Sequence, residues 1–473
     1  MHRRRFPKKQ SSVRKPRINN VNSIKIPVRI VLVTLTVGFI AVYSLYFSLL
    51  SSEDPGILVI PDKKKWIQES SNAEDQSDVK YHVVFSTGCT PFQDWQSYVF
   101  FYHAWKSGQK GNVTRIASCG NPKDAGTVRK LHEETISIMS DRFSLHITIE
   151  YSKRVKPGMT YKFFNKPFGM LDFLENVLNY RPMDELNPND DTIVLLLDPD
   201  QMLIRPFTND FSLSSEVWRP TTSKLKLWTQ VTHGHPFAQQ YGFGIQWKTK
   251  VNATYVANGT TRVTTMDMNE AKSHYALGPP YIATARDMYA IAKKWTEFVP
   301  RIHNQYPHLL AEMFAYCFAA AHLNLPHRIA QSFMVSDVYS GGEGWKLVNK
   351  MGRKNVCNPP SELNPHVIHY CQRYMLGKWF IGKYRLRKDF VSCESPLLKE
   401  PPEDIVKLNY QVAPDGSRIT LRSPTSVDRN AFMICGLIPR LNQAAIFYKE
   451  HHCKGENTNF DKTYIFHANE EGM

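Results

Sequence analysis

Acidic side chains are missing from the first 50 residues, where Arg3, Arg4, Arg5, Lys8, Lys9, Arg14, Lys15, Arg17, Lys25 and Arg29 stand alone. The whole chain of 473 residues holds 59 Lys+Arg against 43 Asp+Glu, a formal charge of +16. Much of that excess belongs to the N-terminal tail, so the positive balance is no argument for nucleic-acid binding. Also missing are G-x-x-x-x-G-K-[ST], G-x-G-x-x-G and G-x-S-x-G, which removes support for P-loop, dinucleotide-dependent and common hydrolase chemistry. No C-x-x-C occurs, which argues against a zinc site. With 42% apolar and 22% charged residues, the chain is neither disordered, collagen-like nor coiled-coil.

Ile30–Leu50 is a 21-residue run without a charge. As a helix it would span roughly 30 Å, about one bilayer core. The run exceeds a usual signal-peptide core, and no A-x-A-like exit follows it, so an uncleaved anchor is expected. Basic residues on its N-terminal side alone place that end in the cytosol and the rest in a lumen. The expected organisation is a basic tail (1–29), an anchor (30–50), a lumenal stem (51–80), a catalytic domain (81–400) and a C-terminal helical extension (401–473). All eight cysteines and the sequons at Asn112, Asn252 and Asn258 lie beyond the anchor, as a secretory-pathway protein requires.

From Tyr81 onward, strand and helix patterns alternate. YHVVFS reads as a strand, and Thr90-Pro91-Phe92-Gln93 as a helix start with a Thr cap. Val113–Cys119 and Leu145–Ile149 read as strands, with a helix after Gly126 between them. Lys166-Pro167 opens another helix. Thr192–Leu197 is a continuous apolar run of the kind a strand buried on both faces shows. The expected fold is α/β with a largely parallel sheet, loosening into an antiparallel portion beyond residue 205. Near the C-terminus, Ala431–Lys449 reads as a helical pair broken near Pro439, with Cys435 and Cys453 placed to staple it.

The sharpest chemical signal is Asp198-Pro199-Asp200 directly after the buried strand. Ligands of α/β sheets bind at the carboxyl ends of strands. Two carboxylates one residue apart there can face one hard divalent cation, Mn²⁺ or Mg²⁺, holding a diphosphate. A plain β-turn is the bland alternative; the buried strand before it favours the metal. His369 ends a short apolar run and offers an imidazole, although a structural histidine is commoner. Glu312 is the only acidic group in the apolar stretch Leu309–Leu323. It is either an ion-pair partner or a cleft carboxylate. Gly278-Pro279-Pro280-Tyr281 and Tyr241-Gly242-Phe243-Gly244 read as ligand-approaching loops.

Taken in order, these residues resemble the hydroxyproline O-arabinosyltransferases and their relatives, the peptidyl serine α-galactosyltransferases. The matching elements are His82–Ser86, Asp94-Trp95-Gln96, Thr114–Ile116, Ser118-Cys119, Asn165-Lys166-Pro167, Asp198-Pro199-Asp200, His235-Pro236, Gln240–Gly242, Gly278-Pro279-Pro280, Glu312–Tyr316 and His369-Tyr370. The resemblance implies a GT-A-like, Rossmann-type mixed sheet flanked by helices. It implies a retaining type II enzyme of the Golgi or endoplasmic reticulum, carrying arabinofuranose or galactose from a UDP-sugar to hydroxyproline or serine hydroxyls of secretory proteins. Mn²⁺ is then the implied cation, Asp198, Asp200 and His369 its ligands, and Ser86, Thr87, Asn165 and Lys166 residues of the nucleotide and diphosphate pocket. Asp200 and Glu312 become catalytic candidates. Nucleic acid is not an implied partner. A degenerate, non-catalytic lumenal lectin or cargo receptor is the alternative, and a sulfotransferase would need a phosphosulfate loop that the sequence lacks.

Overall fold

The computed structural model describes residues 79–465 except 156, 181–186, 222–226, 414, 456 and 457. The expected anchor, the cytosolic tail and nearly all of the expected stem lie outside the described residues. The described residues fall in one compact unit.

The first half follows the alternation of its sequence. Strand β1 (Tyr81–Gly88) leads to helix α1 (Pro91–Lys106), β2 (Asn112–Cys119), α2 (Pro122–Leu131), β3 (Phe143–Ile149), α3 (Asn165–Asn176) and β4 (Ile193–Leu197). Helix α2 begins before the expected Gly126, because Asn121 accepts a bond from the Asp124 N–H and Pro122 fits the first turn. At α1 the Thr90 side chain makes no cap bond; Gln93 turns back to accept from the Gly88 N–H (2.6 Å).

After β4 come β5 (Gln201–Leu203), β6 (Phe237–Gln240), β7 (Leu277–Thr284), α4 (Ala285–Gln305), α5 (Ala311–His322), β8 (Arg328–Ala330), β9 (Met334–Val335) and β10 (Val367–His369). The main sheet runs β3-β2-β1-β4-β7-β6-β8. Strand β7 pairs antiparallel with both neighbours; the remaining pairs in the sheet are parallel. The sheet is mixed, as expected, but the Gly278–Tyr281 segment is part of β7 and not a loop. Gly278 is needed there because a Cβ would meet the Tyr241 ring at 2.0 Å.

Strand β4 is buried on both faces. Ile193, Leu195 and Leu197 join the core beside α1, and Val194 and Leu196 the core beneath α3, α4 and α5. Each such side chain contributes about 1.5–3 kcal/mol. That explains an apolar run without alternation.

Beyond the main sheet, β5, β10 and β9 form a three-stranded sheet, and β11 (Arg373–Leu376) and β12 (Trp379–Gly382) a hairpin. Helix α6 (Pro424–His452) then packs against α1 and β11. It is one continuous helix through Pro439, not the expected broken pair. Buried Phe432, Ile434, Leu437, Ile438 and Leu441 outweigh the roughly 3 kcal/mol that an interior proline costs. Among the described residues α6 is the one helix long and apolar enough to cross a membrane, yet 67% of its apolar window is buried, as in a core helix.

The disulfides also differ from the expected staple. Cys435 pairs with Cys357 and Cys453 with Cys393, while Cys89–Cys119 ties the ends of β1 and β2. Along a continuous helix Cys435 and Cys453 stand 18 residues, or about 27 Å, apart, beyond any disulfide's reach. Cys317 and Cys371 are free thiols.

Candidate functional site

The buried β4 delivers its carboxyl end into a tight turn. The Gln201 N–H donates to Asp198 O (3.0 Å), and the Gln201 side chain accepts from the Asp198 N–H (2.9 Å). The same side chain donates to Pro279 O (2.9 Å), so β7 pins the turn from below. Asp198 and Asp200 therefore leave one rigid corner.

Strand β10 brings the third donor. His369 lies opposite Gln201 in the antiparallel β5–β10 ladder, and the Tyr370 N–H donates to Asp200 O (3.1 Å). Nε2 of His369 stands 3.3 Å from Asp200 Oδ2. Asp198, Asp200 and His369 each place a ligand atom within 4.8 Å of the others. Nδ1 of His369 is buried with no hydrogen-bond partner among the described residues. Two carboxylates and an imidazole suit a divalent cation of the Mn²⁺ or Mg²⁺ kind. The residues present therefore fit such an ion.

Two lysines balance the two carboxylates. Lys166, on the first turn of α3, donates to Asp198 Oδ1 (2.6 Å) and lies 3.6 Å from Glu312 Oε1. Helix α3 can approach this closely because Gly169 faces Ile116, which a Cβ would meet at 2.9 Å. Lys383, just after the β11–β12 hairpin, donates to Asp200 Oδ2. Burial works against ionising Asp200, but the His369 and Lys383 charges overcome it and hold the carboxyl well below its usual range. Burial likewise opposes the charge on Lys166, yet Asp198 and Glu312 raise its pKa above the ordinary value.

Glu312 sits in the first turn of α5 and is buried. Burial pushes its pKa up to about 7, opposed by Lys166 and reinforced by Asp198. Its backbone is fixed: the Glu312 N–H donates to Tyr161 Oη (2.9 Å) and its carbonyl accepts from Trp295 Nε1 (2.8 Å). Oε1 has no hydrogen-bond partner among the described residues. A carboxyl poised near neutrality with a free oxygen can orient a hydroxyl or stabilise a developing positive charge.

Not every expected residue joins this cluster. Ser86 is half-buried at the end of β1, beside Ile116 in register. The Thr87 hydroxyl turns inward: it accepts from Arg115 Nε (2.8 Å) and donates to Ile116 O (3.3 Å). The physical reason is Arg115 itself, buried in β2, which also donates to Gly88 O (3.3 Å) and Asp94 Oδ1 (2.7 Å). A buried guanidinium needs those acceptors. Asn165 is likewise engaged elsewhere, accepting from the Tyr151 N–H (2.7 Å).

Sequence reasoning passed over Lys383 and Arg115. The signal for Lys383 was the pair of short apolar runs around Gly377-Lys378, which fold back as a hairpin and return the chain to the place where His369 left it. Arg115 lies in the matching element Thr114–Ile116, but nothing local marked it as the buried partner of Asp94 and Thr87.

Residues 81–218 match the hydroxyproline O-arabinosyltransferase family N-terminal domain. Peptidyl serine alpha-galactosyltransferase of Arabidopsis thaliana is 23% identical over 331 residues, 68% of this chain and 34% of that protein. Residues 81–218 are thus similar to that family, and the relatives the chain matches are peptidyl serine alpha-galactosyltransferases. A second peptidyl serine alpha-galactosyltransferase, from Chlamydomonas reinhardtii, is 22% identical over 405 residues, 81% of this chain and 46% of its own length. The chain thus spans between a third and a half of the length of the curated relatives it matches. Among solved structures, galactosyltransferase LgtC with donor and acceptor sugar analogs is 11% identical, with a TM-score of 0.34 over 62% of this chain and 87% of that one. The bifunctional glycosyltransferase WbbM gives a TM-score of 0.33 at 9% identity, over 66% of this chain and 48% of that one. Likenesses this slight carry no argument about chemistry.

Proposed function

We propose that this chain is a divalent-cation-dependent glycosyltransferase that moves a sugar from a UDP-sugar to serine or hydroxyproline hydroxyls of secretory proteins. The observation that carries the reading is the convergence of Asp198, Asp200 and His369 at the end of a buried strand. The family and the printed names of both curated relatives support sugar transfer, with galactose on serine the first pair to test. Arabinofuranose on hydroxyproline is the second.

In this reading Asp198, Asp200 and His369 hold Mn²⁺, which when bound neutralises charge on the departing diphosphate. Lys166 and Lys383, already turned toward the two carboxylates, supply cationic partners for phosphate oxygens. Glu312 faces the reacting sugar or the acceptor hydroxyl. Retention of anomeric configuration is the stereochemical outcome that the family resemblance implies. Ile30–Leu50 anchors the chain in a Golgi or endoplasmic reticulum membrane with the domain lumenal.

Incubating the purified protein with a panel of UDP-sugars and serine or hydroxyproline peptides tests all of this. One donor should transfer far faster with Mn²⁺ than in chelator. Equal rates under both conditions, or binding of glycans without any transfer, would overturn it.

A further inference from the structure

Glu216 is a fully buried carboxylate that touches none of the residues assigned to sugar transfer. It lies in the segment after β5. One oxygen accepts from Arg205 Nη2 and from His366 Nε2 (3.0 Å), and the other from Ser332 Oγ. The Ser332 hydroxyl in turn accepts from the Val217 N–H (2.7 Å). Those partners have one thing in common. Arg205 follows β5, Ser332 precedes β9 and His366 precedes β10, so a single carboxylate clamps all three strands of the small sheet at one end.

The other end of that sheet carries Asp200 and His369, about 10 Å away along β10. The strands joining the two ends are very short: β5 and β10 have three residues and β9 two, all buried. Register in a sheet is normally fixed by alternation of buried and exposed side chains. Here there is no alternation to read, and three residues of ladder hold little against a slip. A slip of β10 by one residue would set Ile368 or Tyr370 where His369 now faces Asp200. The backbone bonds from Ile204 N–H and Arg205 N–H to His366 O (2.8 and 3.2 Å) show how closely the clamped end abuts the ladder.

We propose that Glu216 is a positioning residue that fixes the register of β10, and through it the place of His369 beside Asp200. This rests on the metal reading of Asp198, Asp200 and His369. A buried charge is poor evidence for stability, and its best-attested use is to select one arrangement over near-equivalents.

Mn²⁺ titration of the full chain by calorimetry tests it, using wild type, Glu216→Gln, His369→Ala and the double variant. Glu216→Gln should weaken Mn²⁺ binding about 10- to 100-fold, in the range found for groups that orient metal ligands. The double variant should bind no more weakly than His369→Ala alone, because Glu216 acts only through that imidazole. Ser332→Ala, which keeps the charge and loses one bond, should show a smaller loss in the same direction and stands in if Glu216→Gln does not fold. An unchanged affinity in both, or an equal loss with and without His369, would overturn the positioning role. Wild type that binds no Mn²⁺ would instead remove the metal reading, and this inference with it.

Discussion

The ammonium of Lys166 lies 2.6 Å from Asp198 Oδ1, so the first turn of α3 is tied to the end of β4 by one charge. The same ammonium reaches toward Glu312 on α5 at 3.6 Å. Three elements thus share a single cation, and the chemistry proposed for the site turns on how its carboxylates differ.

Asp200→Asn should reduce sugar transfer at least about 100-fold and abolish the stimulation by Mn²⁺. Asp198→Asn should do the same, since both are ligands in one set. Initial rates across a Mn²⁺ series, with circular dichroism to confirm the fold, check this. Mn²⁺-stimulated turnover near wild type in either variant would remove the metal assignment.

Glu312 gives a prediction of opposite sign for stability and activity. Its folded pKa is raised to about 7 from an ordinary value of 4.5. The neutral form is therefore favoured by folding, and that advantage is present at low pH and lost as pH rises through 7. Glu312→Gln should stabilise the protein by about 2–3 kcal/mol at pH 8 and by less than about 1 kcal/mol at pH 5. Transfer should fall at both. Urea unfolding at the two pH values decides it; equal effects at both would refute the buried ionisation.

Four buried histidines predict acid sensitivity. Burial pushes His82 and His132 down to about 4, and His103 and His327 to about 3. Unfolded, each would take a proton near pH 6.5, so the unfolded state gains protons first as pH falls. Each should contribute a loss of roughly 1.8 kcal/mol over the interval from pH 7 to pH 5, about 7 kcal/mol for the four together. His369, raised by Cys371 and Asp200 against its burial, and Glu312, raised by burial, work the other way and offset part of this drop. A thermal midpoint that holds constant over this interval would contradict the assignment.

Arg115→Met should destabilise the fold by about 3–5 kcal/mol, because Asp94, Thr87 and Gly88 lose their shared donor in the interior. Asp94→Asn should cost less, since the guanidinium keeps its other two acceptors. Denaturant midpoints for the two variants give the order directly, and the reverse order would show that Asp94 is the main partner.

The first half of the fold was legible because β4, α1 and α3 each bury what their own periodicity announces. Asp198, Asp200 and His369 were legible as residue types, and the buried strand before Asp198 said where the pair would point. The rest depended on contacts that no local pattern encodes. The bond between the Thr87 hydroxyl and a guanidinium one strand away is one such contact. Pro439 reads as a break until the apolar face around it finds α1 and β11. Lys383 and Glu216 meet their partners across 183 and 150 residues of chain respectively, distances over which sequence spacing carries no information.

Helix α6 has a practical consequence for anyone preparing shorter fragments. A recombinant product stopped near residue 400 would strip cover from Tyr98 and Tyr102 on α1 and orphan Cys357 and Cys393 as reactive thiols. Such a species would aggregate or cross-link, and its silence in an assay would say nothing about chemistry.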